Sequence, residues 1–135
     1  MPRAAAAPRT RVLIVDDELD FAATLAERLE LRGFEAVAVP AADEALARLQ
    51  DGLAPDVVLL DLKMPGIDGL AALTLLKQAD ATLEVILLTG HGSTTAAIEG
   101  MQRGLFDYLM KPVDIGHLAD KIREAAARRA RAAPA

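Results

Sequence analysis

Asp61 follows the apolar run Val57-Val58-Leu59-Leu60 and precedes Leu62-Lys63-Met64-Pro65-Gly66. The arrangement recurs with other chemistry. Val12-Leu13-Ile14-Val15 runs into Asp16-Asp17-Glu18, Val85-Ile86-Leu87-Leu88 into Thr89, and Asp107-Tyr108-Leu109-Met110 into Lys111-Pro112. If these runs are parallel strands, carboxylates, a hydroxyl and an ammonium meet at one edge of a sheet. Adjacent carboxylates repel, and a hard divalent cation with oxygen ligands relieves that repulsion. Carboxylates with no cysteine or accessory histidine suit Mg²⁺ or Mn²⁺ better than zinc. A carboxylate can also accept a phosphoryl group and form an acyl phosphate, with a cation to align the attack and neutralise the transferring group. Thr89 can then donate a hydrogen bond to a phosphoryl oxygen, and Lys111 can place a point charge on it.

Singly, each residue has a plainer reading. Asp16-Asp17-Glu18 alone is a solvated acidic turn or helix cap. Asp61 alone is a loop residue, Lys111 an exposed lysine, and Tyr108 a half-buried edge residue. Thr89 leads into Gly90-His91-Gly92-Ser93, where the glycines allow close backbone approach and Ser93 can cap a helix. His91 and His117 read as solvent-facing. Pro112 after Lys111 is a place where a cis bond is affordable. The specificity lies in the combination, because every one of these groups sits at the same end of an expected strand.

The elements that must position them follow from periodicity. Short apolar runs at 11–15, 34–39, 56–60, 84–88 and 107–110 read as strands. Helical spacing marks 19–32 (Phe21, Leu25, Leu29), 42–50 (Ala42, Ala45, Leu46, Leu49) and 69–79 (Leu70, Leu73, Leu76). It also marks 94–103 (Ala97, Ile98, Met101) and 114–130 (Ile115, Leu118, Ala119, Ile122), with Gly33, Gly52 and Gly104 as stops. Five strand–helix repeats predict an α/β fold with a parallel sheet covered on both faces. Right-handed crossovers then gather the loops after the strands on one edge, where ligands of such sheets bind.

Composition bounds the rest. A chain of 135 residues is one domain by length, and 53% hydrophobic with 3% aromatic residues requires an aliphatic core. Absence of cysteine excludes disulfides and cysteine-based metal sites. No apolar run approaches the roughly 20 residues that span a bilayer, and residues 1–11 lack the apolar core of a signal peptide. A cytoplasmic protein without membrane contact is expected. The net charge of −5 understates the acidity of the middle, because Arg3, Arg9, Arg128, Arg129 and Arg131 lie at the ends. An acidic body is a poor nucleic-acid surface, and the terminal arginines read as solvated tails. Residues 1–9 are thus expected to be a disordered basic tail, 10–130 the folded domain, and 131–135 a C-terminal tail.

Together, Asp16-Asp17, Asp61 with Met64-Pro65-Gly66-Ile67-Asp68-Gly69, Thr89-Gly90 and Asp107-Tyr108-Leu109-Met110-Lys111-Pro112 resemble the receiver domain of bacterial two-component response regulators. The resemblance covers about residues 10 to 130. It implies a flavodoxin-like (βα)₅ three-layer sandwich with a five-stranded parallel sheet of order 2-1-3-4-5. It implies that Asp61 takes a phosphoryl group from a histidine kinase or phosphotransfer protein. It implies Mg²⁺ (Mn²⁺ as substitute) held by Asp17 directly, by Asp16 through water, by Asp61, and by the backbone carbonyl of Lys63. Thr89 matches the switch hydroxyl, Lys111 the phosphate-binding lysine, Tyr108 the switch aromatic, and Lys111-Pro112 the cis peptide. The face formed by helix 94–103, strand 107–110 and helix 114–130 would change shape, signal to a downstream protein, and serve as a phosphorylation-dependent dimer surface. Lys63 and His91 would overlook the pocket mouth and tune the lifetime of the acyl phosphate.

Such a chain is expected to be a phosphoacceptor that self-phosphorylates from small donors and dephosphorylates itself, rather than an enzyme. Two other readings compete with this one. A Mg²⁺-dependent aspartyl-phosphate phosphohydrolase needs a second acid/base near its nucleophile. Lys63 stands where haloacid-dehalogenase-like enzymes place an aspartate, and no cap insertion encloses a small substrate. A receiver can also precede the output domain of a DNA-binding transcription regulator, and Thr89-Gly90-His91-Gly92-Ser93 resembles receivers of sigma-54 activators. Nothing after Arg131 forms a helix-turn-helix, so the expectation is a stand-alone receiver or one separated from a larger regulator at its linker.

Overall fold

The computed structural model describes residues 9–61, 69–90 and 94–132. Strands and helices alternate: β1 (Arg11–Val15), α1 (Leu19–Leu31), β2 (Glu35–Val39), α2 (Ala42–Gln50), β3 (Val57–Asp61), α3 (Gly69–Ala79), β4 (Glu84–Thr89), α4 (Thr94–Gln102), β5 (Asp107–Met110) and α5 (Ile115–Ala132). All strand pairs are parallel, in the order β2-β1-β3-β4-β5. This is the flavodoxin-like sandwich expected from the sequence.

The central strands are apolar throughout because both of their faces are covered. Val12 and Ile14 of β1, Val57 and Leu59 of β3, and Ile86 and Leu88 of β4 pack against Ala22, Leu25 and Leu29 of α1 and Leu118, Ala119, Ile122 and Ala125 of α5. The alternate residues Leu13, Val15, Val58, Leu60, Val85 and Leu87 pack against Ala42 and Ala45 of α2 and Ala72, Leu73 and Leu76 of α3. The period-2 pleat sends neighbours in sequence to opposite cores. Fully burying one such Val, Leu or Ile contributes roughly 1.5–3 kcal/mol.

Boundaries differ from the sequence reading by a residue or two. Phe34 lies before β2, buried against the α1–α5 side, and α5 continues to Ala132. Gly33 ends α1 at φ 93°, a left-handed conformation in which its N–H reaches Glu30 O at 3.0 Å.

Two expectations fail. In α4, Ala97 is buried but Ile98 and Met101 are 55% and 47% exposed. The helix meets α3 through its small residues, since a Cβ on Gly100 would stand 3.0 Å from Leu105 Cδ2 and 3.6 Å from Leu70 Cδ2. Of the terminal arginines, Arg9, Arg128 and Arg129 are paired and Arg131 is exposed, while Arg3 and the tails at 1–8 and 133–135 lie outside the described residues. Arg9 pairs with Glu30 at 3.3 Å, Arg128 Nε with buried Glu84 at 2.6 Å, and Arg129 with both Asp56 and Asp80 at 3.3 Å. Asp56, Asp80 and Glu84 flank the amino ends of β3 and β4, so their pairs fasten the last turns of α5 to the sheet edge opposite the strand carboxyl ends.

Candidate functional site

The strand order reverses between β1 and β3. The chain leaves β1 for β2 on one side and returns as β3 on the other. Val15 pairs with Leu60, so Asp16 and Asp61 emerge side by side at the carboxyl edge. Thr89 ends the neighbouring β4, and its carbonyl accepts the Lys111 N–H at 2.8 Å. That bond brings the residue after β5 back over the same edge. The Lys111–Pro112 peptide is cis, as its Pro context allowed.

Asp16, Asp61 and Thr89 are buried. The Lys111 ammonium lies 3.0 Å from Asp16 Oδ2, 3.2 Å from Glu18 Oε1 and 3.9 Å from Asp61 Oδ1. Its α1 side is covered by the Phe21 ring, whose centroid is 4.2 Å from Nζ. Burial acts to lower the Lys111 pKa. The hydrogen bond and charge of Asp16, the charge of Asp61 and the Glu18 bond outweigh it, and the ammonium is held above its usual value.

The backbone turn after β1 sorts its three acids. Asp16 N–H reaches back to Val39 O at 3.1 Å, and Asp16 Oδ1 accepts the Glu18 N–H at 2.9 Å. Asp16 and Glu18 join Asp61 in a group in which one carboxylate oxygen from each lies within 4.8 Å of the others. Asp17 is exposed and outside that group. The sequence places Asp16, Asp17 and Asp61 together and Glu18 beside them, but gives Glu18 and Phe21 no contact with Lys111. Their spacing, i and i+3 at the start of α1, is the signal that puts them on one face. The donor set is carboxylate oxygen alone, which fits a hard divalent cation. The ammonium seated among the three acids shows the same demand for positive charge.

Tyr108 is 41% exposed on the edge strand β5. With Asp107, Met110, Val113, His117 and Lys121 it lines an open groove of about 540 Å³. His117 is exposed, as expected. The expectations for Lys63, Met64-Pro65-Gly66-Ile67-Asp68, His91 and Ser93 lie outside the described residues. Among the described residues, no helix is long and apolar enough to cross a membrane.

A family model for the response regulator receiver domain matches residues 12–123. The chain is 38% identical over 118 residues to the C4-dicarboxylate transport transcriptional regulatory protein DctD of Pseudomonas aeruginosa, covering 87% of this chain and 25% of that protein. It is 41% identical over 104 residues to the DNA-binding transcriptional regulator NtrC of Salmonella typhimurium, covering 77% and 22%. The chain thus spans about a quarter of the length of these curated relatives. A receiver domain protein from Clostridium thermocellum superposes with TM-score 0.87 at 33% identity, covering 92% of this chain and 99% of that one. NtrX from Brucella abortus does so with TM-score 0.86 at 32% identity, covering 93% and 29%.

Proposed function

Because this chain belongs to the response regulator receiver domain family, we propose that Asp61 is its phosphoacceptor and that the domain is a phosphorylation-controlled switch in a cytoplasmic two-component pathway. The observation that carries the reading is the convergence of Lys111 with Asp16 and Asp61 at the carboxyl edge, with Thr89 on the adjoining strand.

The donor is a phosphohistidine on a sensor histidine kinase or phosphotransfer protein. An Asp61 oxygen attacks phosphorus, an O–P bond forms, and the P–N bond to the imidazole breaks. The bonding pair stays on the ring nitrogen. Mg²⁺, when bound, neutralises phosphoryl charge and aligns the attack. Asp16 and Asp61 are the residues to hold it, with Glu18 the third carboxylate in reach. Asp17 and the Lys63 carbonyl are ligands by family resemblance, and Asp17 must turn inward from its exposed position to serve. Lys111 then exchanges carboxylate partners for the phosphoryl oxygens, a charge-assisted contact.

The bound group carries about two negative charges. It biases the domain only through contacts that differ between two states. The Thr89 hydroxyl moving toward the phosphoryl group, with Tyr108 turning inward behind it, is the difference we assign. Tyr108 and its groove lie on the α4–β5–α5 face, where a downstream protein would read the change and where a phosphorylation-dependent dimer would form. Two of the relatives are transcriptional regulators by name, which favours a regulator of transcription as the protein served. The acidic body argues that DNA contact is made elsewhere.

The test is labelling by acetyl phosphate with Mg²⁺, followed by mass spectrometry. Wild type is expected to gain one phosphoryl group on Asp61 and Asp61→Asn none. Equal labelling of the two proteins defeats the assignment.

A further inference from the structure

Glu18 is the N-cap residue of α1, yet its side chain makes no capping hydrogen bond. The carboxylate is directed instead to Lys111 Nζ at 3.2 Å. The Glu18 N–H takes Asp16 Oδ1 at 2.9 Å, while Asp16 Oδ2 takes Lys111 at 3.0 Å. The Phe21 ring lies against the same ammonium, backed by the packing of Phe21 on the α1–α5 core. The ammonium is therefore gripped from the α1 side and stands off Asp61 at 3.9 Å, a loose pair rather than a hydrogen bond.

Lysine is a compact charge on a flexible stem. A lysine that closed on Asp61 would place a contact ion pair on the carboxylate that must attack phosphorus. We propose that Glu18 and Phe21 are positioning residues for the phosphoryl step. They draw the Lys111 ammonium toward α1, keep it from closing on Asp61, and leave it near enough to meet the arriving phosphoryl oxygens. This rests on the reading of Asp61 as phosphoacceptor.

The experiment follows acyl-phosphate formation against acetyl phosphate concentration, at saturating Mg²⁺ so that changed cation affinity does not enter. The variants are Glu18→Gln, Glu18→Asp, Phe21→Leu and Phe21→Tyr, each checked for folding by thermal melting. Glu18→Gln is expected to lower the limiting rate about three- to tenfold, the scale of one partly exposed charge-assisted contact, with the half-saturating donor concentration little changed. Glu18→Asp keeps the charge but falls short of the ammonium, so it is expected to stay slow. Phe21→Leu keeps apolar bulk without a ring face and is expected to be slow, and Phe21→Tyr to recover. Lysine-selective ¹H–¹⁵N spectra supply a second readout without any phosphoryl donor. The held Lys111 ammonium gives a solvent-protected cross-peak in wild type that Glu18→Gln and Phe21→Leu broaden. If wild type labels on Asp61 while Glu18→Gln and Phe21→Leu keep its rate and its cross-peak, the positioning role is overturned and the phosphoacceptor reading stands. Full recovery by Glu18→Asp overturns the role of Glu18, since charge alone then suffices. No label on wild type overturns both.

Discussion

Lys111 Nζ lies 3.0 Å from Oδ2 of Asp16, and that aspartate has 1% of its side chain exposed. A cation thus already occupies the acid cluster, and a divalent ion entering it competes with the ammonium for the Asp16 carboxylate. Removing the ammonium leaves a buried carboxylate without its charged partner, which costs more than the pair contributes. Lys111→Met is therefore expected to lose about 2 kcal/mol of stability in metal-free buffer. It should regain most of that in millimolar Mg²⁺ and bind Mg²⁺ more tightly than wild type. Urea unfolding with and without Mg²⁺ measures both effects. A Lys111→Met protein equally unstable in both buffers contradicts that competition.

Asp61 makes the converse case. Asp16, Glu18 and Asp61 crowd three carboxylates around a single ammonium. Like charges at this spacing destabilise one another. Asp61→Asn removes one charge at almost constant shape, and is expected to raise stability by about 1 kcal/mol without Mg²⁺. The gain should shrink as Mg²⁺ is added to both proteins. Urea midpoints along a Mg²⁺ titration test this, and an unchanged gap at saturation would show that the stabilisation has another source.

The carboxyl-edge convergence was legible because it depends on topology. Once the apolar runs are parallel strands, Asp16, Asp61 and Thr89 have no other edge on which to emerge. Side-chain direction within the turn was not legible. Asp17 and Glu18 are adjacent, both exposed acids, yet only Glu18 reaches the Lys111 ammonium and joins the Asp16–Asp61 group. The α4 stripe misled because the helix approaches α3 at Gly100, beside Leu70, while Ile98 and Met101 stay exposed. Arg129 read as a solvated end because its partners lie 73 and 49 residues away, at Asp56 and Asp80. No local pattern encodes such pairing.

That distant pairing has an acid signature. Burial acts to raise the Asp80 pKa, but Thr82 hydrogen bonds and the Arg129 bond and charge together hold it below the ordinary 3.8. Its folded pKa is depressed, so the stability it contributes is present above 3.8 and is lost as pH falls through the lower folded value. Arg129→Met is expected to cost about 1 kcal/mol near neutral pH, a figure discounted for the partial exposure of the pair. It should also flatten the acid limb of stability against pH below 3.8. Urea midpoints from neutrality into the acid range decide it, and parallel acid limbs in the two proteins would refute the coupling.

Tyr108 offers a probe that needs no engineering. It is the single tyrosine in a chain without tryptophan, so ultraviolet emission reports on this ring above all others. The ring is 41% exposed and borders the groove with Met110 and His117. If the Thr89 hydroxyl moves toward a phosphoryl group and the ring follows inward, acrylamide reaches it less often. Beryllofluoride with Mg²⁺ mimics the acyl phosphate and is expected to lower the quenching constant about twofold, roughly the change from half-exposed to buried for a ring of this size. Thr89→Ala removes the hydroxyl that links the two events, and is expected to bind beryllofluoride yet leave the quenching constant near its resting value. Tyr108→Phe removes the emission and confirms its source. A wild-type constant that stays unchanged on beryllofluoride binding would leave Asp61 as the phosphoacceptor but detach Tyr108 from the switch, placing the conformational readout elsewhere on the α4–β5–α5 face.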